Sequence, residues 1–321
     1  MRNPSRLPPF LPSLLAAAAV LGTSGCGLGE AERARKLRAA CAEADSSACL
    51  ELGLRLYHGR QVFQNEISAV AFLRQACDGG EREGCFVLGE AHRDGRGVDE
   101  DPGRAAGLFE RACDGDVAEA CGELGALHEA GEGVRRDLVR AADLFERACE
   151  GGHAGGCVKL ARAFESGRGR ERNELTAAGL YENACTAEEA SNTYWDACWR
   201  LGQLYLSGDD IPRDPARAAP FLEKACDANY GQSCGDLARL HADGEGVAQD
   251  WERARELFYR ACWRQHGESC YRVAELYRTG TGGDRDDQEA ERYFGRACRL
   301  GYRDGCRPPP PLPEDSIAGR G

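Results

Sequence analysis

The chain has 321 residues, 42% hydrophobic and 29% charged, a balance that excludes both a polytopic membrane protein and a disordered chain. A net charge of −12 argues against a nucleic-acid partner, because phosphates repel an acidic surface. Seventeen cysteines are too many for a reducing cytosol, and their spacing organises the rest of the sequence.

Arg2 and Arg6 precede an apolar run from Phe10 to Gly22, about 13 residues long and too short to span a bilayer comfortably. This predicts an export signal over residues 1–25. Thr23-Ser24-Gly25-Cys26 resembles the lipobox of bacterial lipoproteins, which implies lipidation of Cys26 as the new amino terminus. Thr23 stands where that motif prefers Leu, so ordinary signal-peptidase cleavage remains the alternative. Setting Cys26 aside leaves an even set of cysteines that can pair completely, and loss of Arg2 and Arg6 takes the charge from −12 to −14. The expected location is the periplasm or outer membrane, or outside the cell, with membrane contact through the lipid anchor only.

After a short linker over 26–30, the cysteines fall in pairs: Cys41 with Cys49, Cys77 with Cys85, Cys113 with Cys121, Cys149 with Cys157, Cys185 with Cys198, Cys226 with Cys234, Cys262 with Cys270 and Cys298 with Cys306. First cysteines recur every 36 residues, apart from one interval of 41 that follows Cys185. A period in the mid-thirties predicts an all-α αα-hairpin solenoid over residues 31–306, a cap helix plus about seven repeats. Before each first cysteine runs an Ala-rich helix, here called helix B, with a large apolar pair as in Arg104 to Cys113. The exception is the initial helix, Ala31 to Cys41, which lacks the pair and reads as the amino-terminal cap. After each second cysteine runs helix A, such as Cys121 to His128. Helix A stops at Gly59, Gly95, Gly131, Gly167, Gly208, Gly244 and Gly280, residues suited to a left-handed cap. Asp101-Pro102 and Asp214-Pro215 read as B-helix starts. Small residues at Gly53, Gly89, Gly125, Ala161, Gly202, Ala238 and Ala274 predict close helix approaches.

Eight residues along one helix span about 12 Å, beyond the roughly 4.4 to 6.8 Å between the Cα atoms of a disulfide. A turn must therefore separate the cysteines of each pair, and a bridge would staple helix B to the next helix A. Zinc held by thiolates is the competing reading, disfavoured because structural zinc sites use closer spacings and exported chains meet oxidising conditions.

The run C-x2-LG-x2-[YH]-x2-G followed by GxGV is carried most clearly by Cys121, Leu124-Gly125 and Gly131-Glu132-Gly133-Val134. It resembles the Sel-one-like repeat (SLR) family, and the cysteine pair in every unit is similar to its Helicobacter cysteine-rich protein (Hcp-like) subgroup. That resemblance implies a right-handed, TPR-like solenoid with bridges joining the two helices of a repeat. Gly59-Arg60-Gln61-Val62 and Gly167-Arg168-Gly169-Arg170 depart from the GxGV loop.

The resemblance also implies penicillin binding with weak β-lactamase activity as an alternative function. The sequence holds no Ser-x-x-Lys, HExxH, P-loop or C-x-x-C-H signature, so no catalytic residue, cofactor or metal site is expected. A redox carrier is disfavoured for want of close cysteine pairs. His92, His128 and His241 share one helix A position with Phe164, Tyr205 and Tyr277, which favours a packing ring over a metal ligand; Cys262-x3-His266 is read as structural too. Thr193-Tyr194-Trp195 in the 186–197 insertion offers an aromatic knob, or a corner packed on itself. Residues 307–321, opening with Pro308 to Pro311, read as an extended tail.

The leading expectation is a non-catalytic scaffold binding a peptide, protein or cell-wall-derived ligand of the envelope on its curved surface. On helix A, positions one, five and eight after the second cysteine lie away from the buried stripe. Phe86, Trp199 and Tyr271 hold the first of these, and Arg162, Arg239 and Arg278 the others, residue types enriched where proteins bind.

Overall fold

The computed structural model describes residues 25–59, 65–186, 192–207 and 210–310. Residues 1–24 of the expected signal, the loop after Gly59, the cap at Gly208, residues 187–191 of the insertion and the tail beyond Pro310 lie outside the described residues. Within them the secondary structure is helical throughout, and the chain divides into two compact units, Met1–Glu100 and Asp101–Gly321.

The first unit holds α1 (Gly25–Ala42), α2 (Ser46–His58), α3 (Glu66–Asp78) and α4 (Arg82–Asp94). Helix α1 begins at Gly25, so residues 26–30 are continuous with the cap helix instead of forming a separate linker. No proline interrupts that stretch, and the helix-favouring Glu30 and Ala31 carry it into the Arg- and Ala-rich run that follows. Leu52, Tyr57 and Leu73 are fully buried at its centre.

The second unit alternates B and A helices: α5 (Pro102–Cys113), α6 (Ala118–Ala130), α7 (Leu138–Glu150), α8 (Ala154–Ser166), α9 (Glu174–Thr186), α10 (Asn192–Ser207), α11 (Pro215–Asp227), α12 (Gly231–Asp243), α13 (Trp251–Trp263), α14 (Gly267–Thr279) and α15 (Asp287–Arg299). A 3-10 turn, Arg303–Cys306, closes it. Each helix packs antiparallel on the next through a short corner, and α6 and α10 also touch α8, so A helices meet along the stack. Helices α5, α9 and α11 bury Ala, Ala, an aromatic or Leu, Ala and Cys, as Ala105, Ala106, Phe109, Ala112 and Cys113 do in α5, and the other B helices keep the central large residue and the following Ala.

The caps explain the punctuation of the sequence. Gly95, Gly131, Gly167, Gly244 and Gly280 end their A helices in the left-handed region, each donating its N–H to the carbonyl four residues back. Asp101, Asp137, Asp214, Asp250 and Asp286 cap B helices by accepting backbone N–H bonds, with Pro102 and Pro215 at the first helical position. The N–H groups of Asp137, Asp214, Asp250 and Asp286 in turn bond to the carbonyls of His128, Tyr205, His241 and Tyr277. The second glycine of the loop has a different duty. A Cβ on Gly133 would stand 2.2 Å from the Pro102 carbonyl carbon, and one on Gly169 2.0 Å from the Leu138 oxygen. The loop leaving each A helix therefore presses on the backbone that starts the B helix before it. Gly167-Arg168-Gly169-Arg170 keeps both glycines, and its departure falls on Arg170, which bonds Asp143 at 2.7 Å and Glu146 at 2.8 Å.

Small residues on the A helices receive large ones from the following B helix. A Cβ on Gly125 would lie 2.6 Å from Phe145 Cε1, and one on Gly202 2.6 Å from Leu222 Cδ2. Every cysteine pair is bridged as its spacing predicts. Cys41 bonds Cys49, Cys77 bonds Cys85, Cys113 bonds Cys121 and Cys149 bonds Cys157. Along the rest of the stack Cys185 bonds Cys198, Cys226 bonds Cys234, Cys262 bonds Cys270 and Cys298 bonds Cys306. The Cα separations run from 4.5 Å at Cys149 and Cys157 to 4.9 Å at Cys185 and Cys198, so the longer segment between the last two ends in the same corner geometry. The insertion is partly absorbed by helix: α10 has 16 residues against 13 in α6, α8 and α12. Tyr194 is buried there, under the Lys224 ammonium that also donates to the Cys185 carbonyl at 2.9 Å. Tyr194, in the first turn of the longer α10 and buried, is thus part of the corner's own packing, not a projecting knob.

Candidate functional site

The A helices of the second unit present a connected row of polar groups. On α8, Arg162 donates to Asp196 of α10 at 2.7 Å; Arg200 reaches the same carboxylate at 3.0 Å and Glu165 at 3.5 Å. The Tyr230 hydroxyl donates to Asp196 at 3.1 Å, and the Tyr230 ring lies 5.8 Å from that of Trp199. Trp199 donates its indole N–H to Asp236 at 2.7 Å, and Gln203 and Arg239 bind that carboxylate as well. Arg239 continues to Glu268 of α14 at 3.6 Å.

Burial sets the electrostatics of this row. Asp236 is buried, and desolvation holds its carboxyl above the usual carboxylate range against the opposing pull of the Trp199 N–H and Arg239. Beneath Glu165, the fully buried Tyr181 donates its hydroxyl at 2.6 Å, and burial drives that phenol far above its ordinary value. Burial beside Asp196 pushes Tyr230 up to about 12. His266 is pushed below the usual histidine range by burial, and it lies 2.7 Å from Ser269 Oγ.

Beside this row a cleft of about 490 Å³ opens over α8. Its floor is Leu138, Ala141, Ala142, Phe145 and Ala163, and its rim carries Lys159, Arg162, Arg168 and Arg200 with Glu129 and Glu165. Lys159 bonds Glu129 at 2.9 Å. Arg168 is exposed and makes no ion pair among the described residues.

The residues singled out by sequence fall into three groups. Arg162, Trp199 and Arg239 are joined by the row, with Arg162 and Arg239 still 42% and 45% exposed. Tyr271 and Arg278, on α14, stand at its far end: Tyr271 packs on Phe294 and Tyr302, and Arg278 pairs with Glu275 at 2.7 Å while only 14% exposed. Phe86 belongs to the first unit and is half-buried there. At Trp199 and Tyr271 the aromatic position is thus occupied in packing one hairpin on the next. The ring positions behave alike: Tyr205 stacks on Phe221 and Tyr277 on Tyr293, and no group of three metal-ligating side chains forms among the described residues. Asp196, Arg200, Asp236, Lys159 and Arg168 were not singled out by sequence. The missing signal was pairing across repeats: the charge two residues after one second cysteine, Lys159 or Arg200, meets the charge eight after the preceding one, Glu129 or Glu165.

The repeat has an established counterpart. The Sel1 repeat matches residues 46–81, 82–117, 118–153, 154–188, 195–230, 231–262 and 267–302. The chain belongs to the Sel1 repeat family. In the frame of those matches a Sel1 repeat is helix A followed by helix B. Six of the bridges, from Cys77 with Cys85 through Cys262 with Cys270, therefore staple one match to the next. The implied placement of each bridge inside one repeat holds only when the unit is counted from helix B, because the bridge lies at the B-to-A corner. A protective antigen of uropathogenic Escherichia coli with an SLR fold superposes with a TM-score of 0.80 at 24% identity, over 85% of this chain and 57% of that one. A Sel1 repeat protein from Oxalobacter formigenes gives 0.69 at 22% identity, over 88% and 80% of the two chains. Helicobacter pylori cysteine rich protein B, at 26% identity and a TM-score of 0.35, aligns over 42% of this chain and 98% of its own. This chain therefore spans little more than half of the E. coli antigen. No curated protein sequence matches it. The Sel1 repeat lends no support to the β-lactamase alternative, and its eight disulfides are suited to an oxidising, extracytoplasmic compartment. No helix among the described residues is long and apolar enough to cross a membrane.

Proposed function

We propose that this Sel1-repeat protein is a non-catalytic scaffold of the cell envelope that binds a peptide, protein or cell-wall-derived ligand on the A-helix face of its second unit. The cleft over α8, lined by the half-exposed Arg162 at one end of the polar row that leads to Arg239, is the observation that carries the reading. Arginine forks beside an apolar floor match the composition of binding hot spots. The stapled repeats hold that face rigid before a ligand arrives, which lowers the entropy lost on binding.

Capture of envelope proteins on the immobilised oxidised chain tests it. Trp199→Ala with Arg239→Ala reduces capture by about tenfold or more, while the urea midpoint reports a folded stack. Trp199→Phe, which keeps a ring and removes the N–H, separates lost packing from lost contact. Undiminished capture by the double variant removes this face from consideration. Anchoring belongs to the same reading: Cys26 carries a lipid and becomes the amino terminus of the exported protein. Intact mass of the mature chain shows diacylglyceryl at Cys26, and an unmodified Cys26 or cleavage elsewhere ends that part.

A further inference from the structure

The cleft is cationic in an acidic protein. Lys159, Arg162, Arg168 and Arg200 stand against Glu129 and Glu165 on its rim, an excess of positive charge in a chain of net charge −12. Two of these cations have charge capacity to spare. Arg168 has no ionic partner among the described residues, and Arg162, though one terminal nitrogen is held by Asp196, leaves 42% of its side chain exposed. Behind the cations the floor is apolar, with Phe145 buried and Ala141, Ala142 and Ala163 around it. An inorganic anion would satisfy the arginines and leave this floor wet. A carboxylate attached to an apolar residue would satisfy both.

We infer that the cleft over α8 binds an acidic peptide segment, seating a carboxylate on Arg162 and Arg168 and an adjacent apolar side chain against Phe145. The inference rests on the reading that the A-helix face binds a peptide or protein, and it names the chemistry of that ligand. Arginine suits the role because its planar fork meets a carboxylate through two parallel hydrogen bonds. The carboxylate comes either from an Asp or Glu side chain or from a peptide's own C-terminus, and the two sources are separable by experiment.

The test is fluorescence anisotropy on the full oxidised chain. The probes are a short labelled peptide alternating Glu and Leu with an amidated end, its counterpart with Lys for Glu, and a Ser-Leu peptide with a free carboxylate. The amidated acidic peptide binds and weakens with added salt, and the Lys peptide does not bind. Arg168→Glu, at a side chain that supports no ion pair, lowers the affinity by about tenfold or more with the urea midpoint unchanged. Arg162→Gln, which keeps an amide donor toward Asp196, lowers it as well. Binding of the Ser-Leu peptide in place of the acidic one assigns the carboxylate to a C-terminus. Equal binding of the acidic and basic peptides, an unaffected Arg168→Glu, or binding of inorganic phosphate with neither carboxylate peptide overturns the inference. Envelope capture that persists while no carboxylate peptide binds would leave the scaffold reading standing and sink only this one. Peptide binding lost in Arg168→Glu, with no capture from the envelope, would do the reverse.

Discussion

Replacing Gly133 by alanine destabilises the second unit by about 2 to 4 kcal/mol, the sum of a left-handed backbone penalty and an overpacked contact. Gly133 sits at a φ of 68°, and its added Cβ would lie 2.2 Å from the Pro102 carbonyl carbon and 2.4 Å from the Gly103 nitrogen. Neither obstacle is a side chain that can turn aside. Relief requires the loop after α6 to lift off the start of α5, which opens the junction between those helices. The control is Gly107→Ala on α5, where the new methyl meets nothing within 4 Å. There the substitution stabilises by up to about 1 kcal/mol, because alanine is the better helix former. Urea unfolding of the two variants therefore moves in opposite directions, and a Gly133→Ala midpoint equal to wild type would show that the second glycine of the loop is not a contact residue.

The second large effect is on the staples. Cys113→Ala with Cys121→Ala removes a bridge whose two sulfurs are buried and whose loop closes nine residues, at a cost of about 2 to 3 kcal/mol in chain-entropy terms. In a stack each hairpin gains most of its stability from its neighbours, so loosening one junction lowers the cooperativity of the whole array. The double variant shows an earlier and broader denaturation. Full reduction of the eight bridges lowers the melting temperature far more, because every junction is affected together. A loss below about 0.5 kcal/mol for the single bridge would mean that packing alone sets the corner.

The repeat order, helix ends and cysteine pairing were legible because each rests on a local rule repeated at fixed spacing. Gly131 and its equivalents cap where an A helix must end, and a turn between Cys113 and Cys121 is demanded by helix geometry. The binding face was legible only in part. Position one after the second cysteine, read as a free aromatic, carries Trp199 and Tyr271 into the packing of the next hairpin. Arg162 and Arg239 were found by their position on the helix, but the carboxylates that orient them were not. Asp196 and Asp236 bond partners 34 and 37 residues away in Arg162 and Trp199, and periodicity within one helix carries no record of such pairs. The cleft was hidden for the same reason, since its floor comes from α7 and α8 and its rim from α6, α8, the loop after α8 and α10.

The central claim is that this Sel1-repeat stack binds through its A helices, and site-specific photo-cross-linking in envelope extract tests it most directly. A benzophenone amino acid at Gln232, exposed on α12 beside the polar row, is compared with one at Leu175, 74% exposed on the B helix α9. The prediction is a discrete adduct from Gln232 that is suppressed when Arg239→Ala is added, and none from Leu175. An adduct from Leu175 alone would place the partner on the B-helix face and contradict the account.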